Sequence, residues 1–164
     1  MIILETLTVE HICDLNLKDI LIVEPDEAFS QVIQRFAYHS DLRGIYVTDA
    51  EGHLLGVITR IDLLDWARAK LGFIFRKPQI DQRKTTRLLN LMQASTAGQV
   101  MRQDSQHASV KRTDTLARAL ELMLELDLIV LPVVDDTNRI IGDLKLAKLL
   151  ATPIEASKST IKST

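Results

Sequence analysis

A single cysteine, Cys13, stands among 164 residues, so no intramolecular disulfide can form and the chain suits a reducing compartment. Aromatic residues make up only 4% of it, which leaves the core to Leu, Ile and Val. No apolar run approaches the roughly 20 residues of a membrane-spanning helix. Met1-Ile2-Ile3-Leu4 meets Glu5 without a basic leader, unlike a signal peptide. A soluble, cytoplasmic protein without membrane insertion is therefore expected. His11, His39, His53 and His107 show no ligand spacing, and with one cysteine no metal site is expected. No nucleophile–base pair or pair of acids can be assembled, so no catalytic residue is assigned and the chain is not read as an enzyme.

The chain does contain a duplication. Gly56-Val57-Ile58-Thr59-Arg60-Ile61-Asp62 returns as Gly142-Asp143-Leu144-Lys145-Leu146-Ala147-Lys148. Thr8 to Cys13 aligns with Thr96 to Met101, Val23 to Phe36 with Val110 to Met123, and Ile45-Tyr46-Val47 with Pro132-Val133-Val134. The offset drifts only from 88 to 87 to 86, so order and spacing are preserved throughout, as in a duplicated unit. Each copy has roughly 60 residues, a length at which burial is marginal, so the halves are expected to share a core.

Each repeat reads as strand-helix-strand-strand-helix, an α+β arrangement, after a short opening turn capped by Thr8 or Thr96. In the first copy a strand over 20–23 precedes an amphipathic helix over 26–39, with Phe29, Val32, Ile33 and Phe36 on one face. Strands over 44–48 and 54–58 flank the polar turn Asp49-Ala50-Glu51-Gly52, and a helix over 59–70 closes the unit. The second copy places strands at 130–134 and 140–144, a turn at Asp135-Asp136-Thr137-Asn138, and a closing helix over 145–151. This divides the chain into a first domain (1–66), a linker (67–95), a second domain (96–151) and a C-terminal tail (152–164) expected to be loosely held.

Charge is uneven. Residues 1–65 carry 4 Lys/Arg against 12 Asp/Glu, whereas residues 66–95 carry 7 against 1. The basic linker residues Arg68, Lys70, Arg76, Lys77, Arg83, Lys84 and Arg87 could meet an acidic partner or simply form a solvated or dimer-edge segment. Without a platform of stacking aromatics, nucleic acid is not the expected partner.

Thr-x-x-x-Ile/Val-Cys/Met at the start of each repeat, Pro132-Val133-Val134-Asp135, and above all Gly-x-Ile-Thr-x-x-Asp at Gly56 to Asp62 resemble the cystathionine β-synthase (CBS) domain. That domain usually occurs as a tandem pair, the Bateman module. The resemblance covers Thr8 to Ala151 apart from the linker. It implies two pseudo-symmetric domains packed as one module around two clefts, assembly into a homodimer, and a sensor that controls a protein partner. No cofactor is obligatory; the regulatory ligand implied is an adenine nucleotide (AMP, ADP or ATP) or S-adenosylmethionine.

The Gly56–Asp62 motif has chemistry suited to that ligand. A strand-to-helix junction offers unpaired N–H groups and a partial positive charge to a phosphate. Thr59 can donate its hydroxyl to a phosphate oxygen, and Asp62 can accept both ribose hydroxyls. Gly56 permits close approach to the strand, and Arg60 belongs to the same turn. The resemblance places the adenine in an apolar slot at Ile22, Val23, Gly44, Ile45 and Tyr46. Taken alone, Thr59-Arg60-Ile61-Asp62 is also a capping box, a threonine N-cap answered by an acid three residues on. In the second copy Lys145 and Lys148 replace both groups and either reach phosphates or stay solvated, so one competent cleft per chain is expected. The alternative reading is a ligand-free dimerisation module that docks on a partner through the basic linker.

Overall fold

The computed structural model describes residues 2–39, 42, 44–72 and 82–161. Arg76 and Lys77 of the linker lie outside them. Two three-stranded sheets carry the fold. β1 (Leu21–Val23) runs parallel to β2 (Ile45–Thr48), which pairs antiparallel with β3 (Leu54–Ile58). The second sheet repeats this with β4 (Val110–Lys111), β5 (Val130–Val134) and β6 (Ile140–Lys145). Even the irregularity recurs, at Val47/Thr48 in one hairpin and Val133/Val134 in the other. The expected α+β fold of two pseudo-symmetric units is what the chain adopts.

Seven α-helices flank the sheets among the described residues: α1 (Ile2–Thr6), α2 (Phe29–Ala37), α3 (Arg60–Lys70), α4 (Gln82–Gln93), α5 (Ala97–Val100), α6 (Leu116–Glu125) and α7 (Leu146–Ile161). Phe29 and Val32 are fully buried on α2, as the one-face spacing requires, and Phe29 meets the Trp66 ring edge-on with centroids 5.2 Å apart. The linker contributes a helix of three turns, α4, that buries Leu88 and Leu91. At the C-terminus, α7 continues through Pro153 to Ile161, where a loosely held tail was expected. Proline removes one helical hydrogen bond and bends the helix, but the turns before it are held by buried Leu149.

Both hydrophobic cores cross the repeat boundary. The first joins β1, α2 and β2 to Leu91 of α4 and to Ala97 and Val100 of α5. The second joins α6, β5 and β6 to Leu4 of α1, Val9, and Tyr46, Leu54 and Val57 of the first sheet. Each opening segment thus packs on the other repeat. Val9 N–H donates to the Asp114 carbonyl at 2.8 Å and Leu116 N–H to Leu7 at 2.9 Å; the aligned bonds are Ala97 to Glu27 at 3.0 Å and Phe29 to Ser95 at 2.7 Å. His53 bridges its own aligned partner, Arg139, so the pseudo-twofold axis passes between the two hairpins.

The motif glycines serve this exchange. A Cβ on Gly56 would lie 2.5 Å from Met101 Sδ and 2.8 Å from Ser105 Oγ, and one on Gly142 would collide with the Asp14 carbonyl oxygen. Val57 N–H donates to the buried Ser105 hydroxyl at 3.0 Å, and aligned Asp143 exchanges two backbone hydrogen bonds of 2.9 Å with Asp14. The hairpin turns match as well: Asp49 and Asp135 each accept two backbone N–H bonds, and Gly52 and Asn138 take the left-handed φ values +87° and +66°.

Two predictions follow from this symmetry. Gly142→Ala should cost about 1–3 kcal/mol, and Gly56→Ala less, because the obstacle at Gly142 is backbone while Met101 can turn aside; denaturant unfolding of both variants checks the order. The turn bonds hold the Asp49 and Asp135 carboxyls below the usual carboxylate range, chiefly through the His53 and Arg139 N–H groups. A depressed folded pKa gives stability that is present above the unfolded value of about 4 and is lost as pH falls through the lower folded values. The deficit of an Asp49→Asn/Asp135→Asn double variant, measured by urea midpoints, should therefore be larger at pH 7 than at pH 3.

Candidate functional site

A cleft of about 110 Å³ opens at the N-terminus of α3. Gly44, Ile45 and Tyr46 of β2, Val57 and Ile58 of β3, and Thr59, Arg60 and Ile61 form one side. Asp127, Leu128, Ile129 and Val130 of the second repeat close the other. The floor is apolar, and the helix start supplies the polar end. Arg60 and Ile61 occupy the first helical positions, whose N–H groups have no acceptor within the helix. Ligand sites are commonly about 300–1,000 Å³, so the cleft as it stands is narrow.

Five of the nine residues singled out from the sequence therefore line one cleft: Gly44, Ile45, Tyr46, Thr59 and Arg60. Ile22 points to solvent, and Val23 is buried in the first core. Gly56 is pressed against Met101 and Ser105. The wall at Asp127–Val130 escaped the sequence reading because its nearness to α3 arises only when the repeats pack. Its sole local signal is the left-handed Asp127, φ +54°, after α6.

Asp62 sits behind the helix start, 1% exposed. Its Oδ2 accepts the Thr59 N–H and the Thr59 hydroxyl, both at 2.7 Å, while Asp62 N–H reaches Thr59 Oγ1 at 3.3 Å. The capping box is thus complete. Oδ1 accepts Arg87 NH2 at 2.6 Å, and the same NH2 donates to the Val100 carbonyl at 3.0 Å. Burial holds the Asp62 carboxyl above its usual range, against the opposing pull of Thr59, Arg87 and Arg102. Arg102 in turn donates from NH1 to the Leu126 carbonyl at 3.0 Å, directly before the second wall of the cleft.

The altered copy is built with opposite charges. Lys145 and Lys148 both place Nζ 2.9 Å from the Asp14 carboxylate, so the two lysines expected to be solvated or phosphate-seeking are an internal ion cluster. Asp14 aligns with Arg102. In both repeats the segment lying across the last strand supplies charge opposite to that at the junction of the last strand and the closing helix.

Other described basic residues of the linker are also engaged: Arg68 pairs with Asp65 at 2.7 Å, and Lys70 Nζ donates to the Met92 carbonyl at 2.7 Å. Cys13 packs partly buried against the second core, and burial pushes its thiol up, which disfavours the reactive thiolate. Folding also gathers Asp49, Glu51 and His53, a potential metal-ligand set. Asp49 is already committed there, through Oδ1 to the turn amides and through Oδ2 to His53 Nδ1 at 2.8 Å. No helix among the described residues is long and apolar enough to cross a membrane.

Asp14→Asn should leave Lys145 and Lys148 uncompensated at a helix N-terminus, where cations are disfavoured. With these side chains a quarter to nearly half exposed, the expected loss is about 1 kcal/mol. Urea unfolding should show the loss shrinking as salt is raised.

The CBS domain family matches this chain twice, over residues 9–69 and 97–152. No curated protein sequence matches significantly. Among solved structures, CBSX2 of Arabidopsis thaliana in complex with AMP aligns with a TM-score of 0.70 at 19% identity, over 92% of this chain and 99% of that one. A CBS domain-containing protein from Thermotoga maritima aligns with a TM-score of 0.67 at 24% identity, over 89% and 93%. The CBS domain pair of protein MJ0100, in complex with 5′-methylthioadenosine and S-adenosyl-L-methionine, aligns with a TM-score of 0.60 at 16% identity, over 92% and 97%. Two matched repeats, two like sheets and an exchange of opening segments lead to one assignment: this chain belongs to the CBS domain family, as a tandem pair.

Proposed function

We propose that this protein is a regulatory sensor, not a catalyst, that binds one adenosine-containing ligand per chain in the cleft at the start of α3. The observation that carries the reading is the meeting, in one cleft, of an apolar floor and a helix N-terminus. Ile45, Ile58, Leu128 and Val130 suit a base, and the Arg60 and Ile61 N–H groups, the Thr59 junction and the exposed Arg60 side chain suit a phosphate. Asp62, buried one turn into the same helix behind the cleft lining, would take the ribose hydroxyls once uncovered.

The complexes of CBSX2 with AMP and of MJ0100 with 5′-methylthioadenosine and S-adenosylmethionine support this ligand class, AMP and S-adenosylmethionine being the first candidates. One site per chain follows from the altered junction, where Lys145 and Lys148 are consumed by Asp14. In this reading the protein acts in the cytoplasm as a homodimer and passes ligand occupancy to a separate protein.

A thermal-shift and calorimetry panel of AMP, ADP, ATP and S-adenosylmethionine tests the proposal. A ligand at a hundred times its dissociation constant should stabilise the protein by ~2.7 kcal/mol. That response should be lost in Arg60→Ala/Asp62→Ala, and silence across the whole panel would refute the reading.

A further inference from the structure

We propose that Arg87 of the linker helix α4 is a built-in competitor for Asp62, which the ligand must displace in order to bind. This rests on the adenosine reading above and adds how the same site would signal. Asp62 is 1% exposed, and its two carboxylate oxygens are engaged, Oδ2 by Thr59 and Oδ1 by Arg87. Asp62 lies behind the lining of the cleft, and Arg87 covers its Oδ1 from α4, so a ribose hydroxyl reaches Oδ1 only once the guanidinium has moved away. The occupied and unoccupied states therefore differ first at α4.

The consequences propagate through contacts already in place. Arg87 NH2 also holds the Val100 carbonyl at 3.0 Å, so its departure releases the last carbonyl of α5 along with Asp62. Arg102, two residues on, faces the same carboxylate and holds the Leu126 carbonyl beside the cleft wall. The wall of the narrow cleft is thus tied to the group that must be uncovered. Leu88 and Leu91, one and four residues after Arg87, keep α4 on the first core, and Leu89 and Met92 remain exposed on it. A helix freed at Arg87 is held by those two leucines and by the Lys70 bond to the Met92 carbonyl. The basic linker then becomes the element through which occupancy is read.

The test compares the wild-type chain with Arg87→Gln, whose fold is checked by circular dichroism, in calorimetric titration with AMP and with S-adenosylmethionine. Removing the competitor should tighten binding about tenfold, within the ordinary range of couplings between sites. A second measurement needs no variant: amide hydrogen exchange of wild-type α4 should speed up on saturation with the ligand that binds, while the start of α3 becomes protected. Binding with equal or weaker affinity in a folded Arg87→Gln, together with α4 exchange unchanged by ligand, would overturn the competitor and leave the adenosine site standing. Failure of wild type and variant alike to bind either ligand would overturn both readings.

Discussion

The structure depends on a mutual exchange: the segment that opens each repeat lies across the last strand of the other. A half of roughly 60 residues cannot bury enough apolar surface to hold itself together. Here Ala97 and Val100 complete the core of the first sheet, while Leu4 and Val9 complete that of the second. Backbone hydrogen bonds of 2.7–3.0 Å fix the crossings on both sides of the pseudo-twofold axis. At the crossing point the approach leaves little room for a Cβ on the strand, least at Gly142, and both copies of the motif begin with glycine.

On this symmetric frame the charges are inverted. The first closing helix presents a carboxylate to guanidinium groups, whereas the end of β6 and the start of α7 present two ammonium groups to a carboxylate. The energetic settings differ, since Asp62 is 1% exposed whereas Asp14, Lys145 and Lys148 keep partial contact with water. A buried carboxylate is costly to leave unpaired, and a half-exposed cluster is screened by solvent and salt. The first junction is therefore held chiefly by its buried carboxylate, since Arg87 keeps a partly exposed side chain. The second is a structural clasp, joining the residue after Cys13 to the base of α7.

How far the site was legible depended on where its partners lie in the chain. Thr59 and Asp62 are three residues apart, so their capping geometry is written in local spacing, and the helix start at Arg60 follows from it. Gly44, Ile45 and Tyr46 were placed beside that start only through the resemblance to the CBS domain, and the pairing of β2 with β3 brings them there. Arg87 was visible as one of seven linker cations, but nothing local distinguished it from Arg68, which pairs with Asp65 on its own helix. Likewise Lys145 and Lys148 lie far along the chain from Asp14, and no pattern within either repeat announces that pairing.

Local periodicity and internal repetition alone determined the duplicated α+β unit, its strand and helix order, the capped start of α3 and the difference between the two junctions. These are properties of neighbouring residues and of one repeat compared with the other. Tertiary structure decided which oxygen of Asp62 is covered and by what, that Asp127–Val130 close the cleft, and that Gly56 faces protein. The reason is that each of these contacts joins one repeat to the other or to the linker. Burial and ion pairing are set by what lies across a packed boundary, and only the docking of the two halves brings those partners together.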